Sequence, residues 1–309
     1  MKVALCFFGF PREVEACYVN IFDTIIRSTE GVKVDVCAHL WWEDRLGKTA
    51  YHEKSPHARE GRLMRKFQEN ENKIFEDLYL PQKILTEKPL DIEEFDFSQY
   101  EDAQKRESPN PITDFGVLGR DLNGPLWSGV RTNRVFFNEY SQWKSKKNSL
   151  ELAIKSEEKY DFYILARTDL AIKYRLEYDK LDKDTLYCSN GIVFGGTGGY
   201  LGSDYPFSDL FACGNLKNMD SYTRFFDNIY DYIELPIHLQ LEKHLSVNSK
   251  IQCDVKKITA LPYYLFKELN FIWPNYVFPL GKKTFKFPRD AEERRSNKTK
   301  RGFKGDNKF

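Results

Sequence analysis

The chain is expected to be an α/β protein: a mostly parallel central sheet with helices on both faces and a helical or loop insertion after the second strand. Three observations lead there. The first forty residues carry a compact strand, helix, strand pattern, KVALCFF then a helical stretch then VKVDVCAHLWW. A long amphipathic segment at 128–159 runs straight into the apolar run FYILA. Two more apolar runs follow, TLYCSNGIVF and DLFACGN. Parallel strands joined by a helix require a sheet covered on both faces, and such strands read as unbroken apolar runs.

Taken in order, a strand at 2–8 ends in the turn Gly9-Phe10-Pro11, and a helix is expected from about 12 to 27 before the second strand at 32–42. Residues 43 to about 125 interrupt this rhythm. They hold a charged helical stretch near 58–78, a short strand near 83–86, the acidic LDIEEFDFSQYED and the Pro- and Gly-bearing SPNPITDFGVLGRDLNGPLW, which together read as an insertion. In the long helix that follows, Phe136, Tyr140, Trp143, Leu150 and Ile154 fall at steps of three and four, and Lys147 breaks the stripe. A later helix at 216–233 carries Leu216, Met219, Tyr222, Phe226, Ile229 and Ile233 on one face, and a Pro-started helix, PIHLQLEKHL, comes next. One domain over 1–290 is expected, with a basic, solvated tail at 291–309.

Bulk composition narrows the function. With 47 basic against 46 acidic side chains in 309 residues, long-range charge attracts neither nucleic acid nor an anionic membrane. No apolar run approaches the roughly 18 residues of a membrane span, and MKVALCFFGFPRE is too short in its apolar part for a secretion signal. The six cysteines stand singly, without metal-site spacing, which predicts reduced, buried thiols and a cytoplasmic setting.

The sharpest local feature is Arg167-Thr168-Asp169, at the end of the run FYILA. An aspartate at the carboxyl end of a central strand can hold a divalent cation beside a diphosphate, and an arginine can meet phosphate oxygens directly; the alternative is a strand-end Arg and Asp that pair with other loops. Gly9, Pro11 and Arg12 close the first strand, where Gly permits close approach and a helix start favours an anion. His39 lies near the carboxyl end of the second strand, as a ligand contact or as a core histidine. The glycines of GIVFGGTGGYLG lack the spacing of a dinucleotide fingerprint and suit a loop or hairpin. Asp204 and Asp209 precede an apolar strand; Asp209, shielded by Leu210 and Phe211, is the better candidate for a general base. His238 and Glu242 share a helix face and read as an ordinary surface pair.

Four of these segments in this order, ALCFFGFPR, VDVCAHLWW, SQWKSKKNSLELAIKSEEKYDFYILARTDLAI and SDLFACGNLKNMDSY, resemble the GT-A-like glycosyltransferases of surface and capsular polysaccharide loci and of large DNA viruses. The resemblance spans roughly 1–235 and leaves 43–125 unmatched. It implies a UDP- or GDP-linked sugar donor bound over the first strands at Gly9, Pro11, Arg12, His39, Arg167 and Asp204, a glycan acceptor, and a sugar transferred to a hydroxyl with Asp209 as base. It also implies Mn²⁺ or Mg²⁺ at a pair of acids, of which Asp169 matches the second while Arg167 stands where the first would be. Two other readings are a fold-alike that only binds nucleotide or carbohydrate, and another nucleotide-dependent enzyme such as a nucleotidyltransferase.

Overall fold

A computed structural model describes residues 1–43, 70–105, 133–172, 175–190, 193–195, 198–200, 207–231, 241, 244–245, 255–258 and 260–262. The architecture is α/β, a mixed and mostly parallel sheet flanked by helices. Strand β1 (Lys2–Gly9) leads through α1 (Val14–Ile21) and a π-helical turn (Phe22–Ile26) to β2 (Lys33–Trp41). Helix α2 (Glu71–Tyr79), β3 (Lys83–Glu87), α3 (Ser98–Lys105) and α4 (Asn133–Ile154) come next, then β4 (Phe162–Arg167) and β5 (Leu170–Ile172). The chain continues through β6 (Leu186–Asn190), β7 (Val193–Gly195), β8 (Gly198–Tyr200) and β9 (Phe207–Gly214) to α5 (Leu216–Thr223), a 3₁₀ turn at Phe226–Asp231, β10 (Val255–Ile258) and β11 (Ala260–Pro262).

Seven strands form the main sheet in the order β10-β6-β9-β4-β1-β2-β3. All neighbours pair in parallel except β9, which runs antiparallel to both β4 and β6. The central strands are apolar throughout because each face is covered: Val3, Leu5 and Phe7 of β1 enter one cluster with Val14, Cys17 and Phe75, while Ala4, Cys6 and Phe8 enter the other with Phe136, Trp143 and Met219. Helices α1 and α2 therefore cover one face, and α3, α4 and α5 the other. Alternation along one strand places its neighbours on opposite faces, so a slip of one residue would exchange both cores.

The segment expected as an insertion behaves differently in its described part. Helix α2 packs in the same core as α1, and β3 extends the sheet by pairing in parallel with β2. Residues 71–87 are thus another helix and strand of the sheet itself. The alternation of Ile74, Phe75, Leu78 and Tyr79 with charge hides this, because β3 is a half-exposed edge strand without the apolar run of β1. The glycine-rich stretch forms the β7–β8 hairpin in its described residues. Cys6, Cys17, Cys37, Cys188 and Cys213 are buried, as the sequence suggests. Among the described residues no helix is long and apolar enough to cross a membrane. The tail at 291–309 lies outside them.

Candidate active site

Strand β1 has β2 on one side and β4 on the other, and the crossovers α1 and α4 cover opposite faces. This reversal of winding makes the carboxyl ends of β1 and β4 a topological switch point, the place where open α/β sheets receive ligands. The two ends are level, since Phe8 pairs with Arg167.

Gly9 leaves β1 with φ of 89°, a conformation that suits glycine and strains other residues. Beyond it, Pro11 and Arg12 are tied to the β4 end: the Arg12 amide donates to Thr168 Oγ1 at 2.9 Å, and the Thr168 hydroxyl proton lies between the carbonyls of Phe10 (3.2 Å) and Arg12 (3.1 Å). The Arg167 guanidinium grips Asp169 with two donors, Nε to Oδ1 at 2.7 Å and Nη2 to Oδ2. Arg12 Nη1 stands 4.0 Å from the same Oδ2, and its guanidinium lies 5.3 Å from the Phe10 ring centre. Burial alone would raise the Asp169 pKa, but Arg167 and then Arg12 outweigh it and hold the carboxyl below its ordinary value. Gly9, Pro11, Arg12, Arg167 and Asp169 are therefore brought together, as the sequence suggests.

The metal assignment fares differently. Both Asp169 oxygens already face guanidinium nitrogens, and among the described residues no group of three or more His, Cys, Asp or Glu side chains gathers. One carboxylate shared with two arginines is a poor donor set for Mn²⁺ or Mg²⁺, which want several oxygen ligands. A second difference concerns the start of α1. The helix begins at Val14 rather than near Arg12, after Glu13 in a left-handed conformation (φ 51°). Its first amide donates to buried Glu71 Oε1 at 3.1 Å, so a side chain of α2 fills the position where a phosphate was expected.

Asp209 enters from β9, two residues before Phe211, which pairs with Ala166 of β4. It sits in the stretch where the register of β9 on β6 shifts between Cys188 and Ser189, an irregularity of the kind that re-aims side chains. Its Oδ2 accepts from Lys146 Nζ at 3.1 Å and from Gln142 Nε2. Lys146 is fully buried, its ammonium 3.7 Å from the Trp143 ring centre and 5.0 Å from that of Phe8. Burial, with a smaller push from Arg167, drives the Lys146 pKa down to about 8 against the pull of Asp209.

His39 is a correction. It is 0% exposed and so has no surface for a donor sugar. Its Nε2 faces Glu87 Oε2 and its Nδ1 faces Ser145 Oγ, both at 2.7 Å. Burial lowers its pKa against the opposing bond to Glu87, so the ring is neutral. A carboxylate only accepts, so Nε2 carries the proton and Nδ1 accepts from the Ser145 hydroxyl; Ser145 Oγ in turn accepts the Gly9 amide at 2.7 Å. The result is a fully satisfied polar chain that props the end of β1 from below. Asp204, His238 and Glu242 lie outside the described residues.

Sequence reading missed Lys146, Gln142, Ser145 and Glu71. The stripe on α4 breaks at Lys146 rather than Lys147, which is partly exposed and paired with Asp227. Ser145 and Ser149 turn inward with Lys146 because their hydroxyls bond β1 and β2: Ser149 donates to the Phe7 carbonyl at 2.7 Å, and Ser145 links the Gly9 amide to the His39 ring. The signal was present as Gln142, Lys146, Ser149 and Ala153 at helical spacing, a face that counting only apolar residues passes over.

No protein-family model matches this chain, and no curated protein matches it.

Proposed function

We propose that the protein is a glycosyltransferase that moves a sugar from a UDP- or GDP-linked donor to a hydroxyl of a glycan acceptor. The observation that carries this reading is the convergence of Arg12 and Arg167 on Asp169 at the switch point between β1 and β4, with the buried carboxylate Asp209 entering from the adjacent β9. A mostly parallel sheet with one reversed strand is compatible with the GT-A-like resemblance. Arginine forks suit diphosphate oxygens, and Asp169 fixes the forks in advance, so less ordering is needed when a donor arrives.

In this reading the acceptor oxygen forms a bond to the anomeric carbon as the carbon–oxygen bond to the diphosphate breaks. The nucleoside diphosphate leaves with that electron pair, its charge met by Arg12 and Arg167, and the hydroxyl proton passes to Asp209. Inversion at the sugar follows from a single displacement.

A second reading has its own observation. Asp209 is held by Lys146 and Gln142, and an ammonium beside a carboxylate weakens it as a base, as expected of a protein that binds nucleotide or carbohydrate without turnover. A panel of nucleotide sugars, followed by thermal shift and by release of nucleoside diphosphate, separates the two. Binding with turnover supports the transferase, binding alone supports the second reading, and neither removes both.

A further inference from the structure

We propose that Lys146 sets the charge and direction of the Asp209 carboxylate at the carboxyl edge of the sheet, as a positioning residue for the base of the transfer reaction. The link to transfer rests on the function proposed above; the pairing does not.

An ammonium wholly inside a protein costs several kcal/mol in lost hydration, and a methionine of similar volume would fill the same space without that cost. Packing therefore does not explain a lysine here. Its surroundings do. Lys146 Nζ donates to Asp209 Oδ2 at 3.1 Å, and Gln142, one helical turn earlier on α4, donates to the same oxygen. Two donors from one rigid helix fix the direction of a carboxylate that comes from an irregular part of β9. The rings of Trp143 and Phe8 close the remaining sides of the ammonium and keep water from competing for it.

The groups facing Lys146 from the elements packed against it are Asp209 of β9, Arg167 of β4 and Cys188 of β6, with Phe8 of β1 and Trp143 of α4 as its aromatic walls. Arg167 opposes the ammonium while Asp209 sustains it, and burial brings its pKa to about 8. Near neutral pH the Lys146 ammonium is retained beside the Asp209 carboxyl. Above that range Lys146 becomes neutral, and the carboxylate, no longer balanced, becomes a stronger proton acceptor. Lys146 thus acts through Asp209 and touches neither donor nor acceptor.

The test begins with lysines labelled with ¹³C at Cε, titrated by NMR in the wild type, Asp209→Asn and Lys146→Gln. One lysine should titrate near 8, vanish in Lys146→Gln, and titrate at lower pH in Asp209→Asn. Should Lys146→Gln fail to fold, the ring-current shift from Trp143 assigns the signal in the wild type. Absence of such a lysine, or a titration that Asp209→Asn leaves in place, overturns the proposal. Transfer or donor hydrolysis is then followed against pH. Lys146→Gln should lower kcat by about tenfold or more at unchanged donor KM and move the acid limb to higher pH, with partial rescue in Lys146→Arg. An unaltered pH profile in Lys146→Gln overturns the positioning role. A coupled lysine in a wild type with no turnover upholds the pairing and overturns the transferase reading.

Discussion

Two buried carboxylates stand at the same edge of the sheet and are held by different means. Asp169 is gripped by the arginine two residues before it and approached by Arg12 from the loop after β1, and these side chains keep some contact with solvent, 20% for each arginine. Asp209 is held from helix α4, by an ammonium with no exposure at all. The first cluster can be approached by a ligand, because its arginine side chains are partly exposed. The second is held from inside by Lys146, while the Asp209 side chain itself keeps 9% of its surface exposed.

The stabilities should differ accordingly. Lys146→Met leaves the largely buried Asp209 with its countercharge removed, and should cost about 3–5 kcal/mol in urea unfolding at neutral pH. Asp169→Asn leaves guanidiniums that water can reach, and should cost less, about 1.5–3 kcal/mol. A larger loss for Asp169→Asn would reverse the assignment of surface and interior. Ser145→Ala strips the shared hydroxyl from Gly9 and His39 and should cost about 1–2 kcal/mol by the same measurement.

The smallest effect lies in pH. Neutral, buried His39 and His244 have pKa values below 6.5, so the unfolded chain binds more protons than the folded one just under that value. Stability should therefore be complete above about pH 6.5 and fall as pH drops through the lowered histidine values. Asp169, also lowered, adds its loss only below its ordinary 3.8. Urea midpoints measured from neutral pH downward should show the histidine step first, and His39→Gln should shrink it. Lys146 acts at the other end: its unfolded value of 10.5 exceeds the folded one, so its contribution improves between about 8 and 10.5 as pH rises.

The same contrast explains what the sequence discloses. Strands β1 and β4 are legible because burial on both faces leaves unbroken apolar runs, and Arg167 with Asp169 is legible because the pair is local, two residues apart at the end of β4 and in the turn after it. Lys146 and Asp209 are 63 positions apart, and Glu71 reaches Val14 across 57. Neither pair leaves a spacing to read. Strand β3 was hidden by its place at the edge, and the inward face of α4 by its serines, which serve as hydrogen-bonding groups where apolar side chains were counted. His39 deceived in the opposite way. Its position near a strand end suggested a ligand contact, but the end of β2 is covered by α4, whose Ser145 takes that side chain inward.

Calorimetric titration with UDP and GDP, with and without Mn²⁺, in the wild type and Arg167→Gln, addresses the central claim most directly. The arginine cluster predicts that one of the two nucleotides binds without metal, that Mn²⁺ strengthens binding little, and that Arg167→Gln weakens it at least about tenfold, the worth of one charge-assisted contact. Binding that appears only with Mn²⁺, or that Arg167→Gln leaves unchanged, would contradict it.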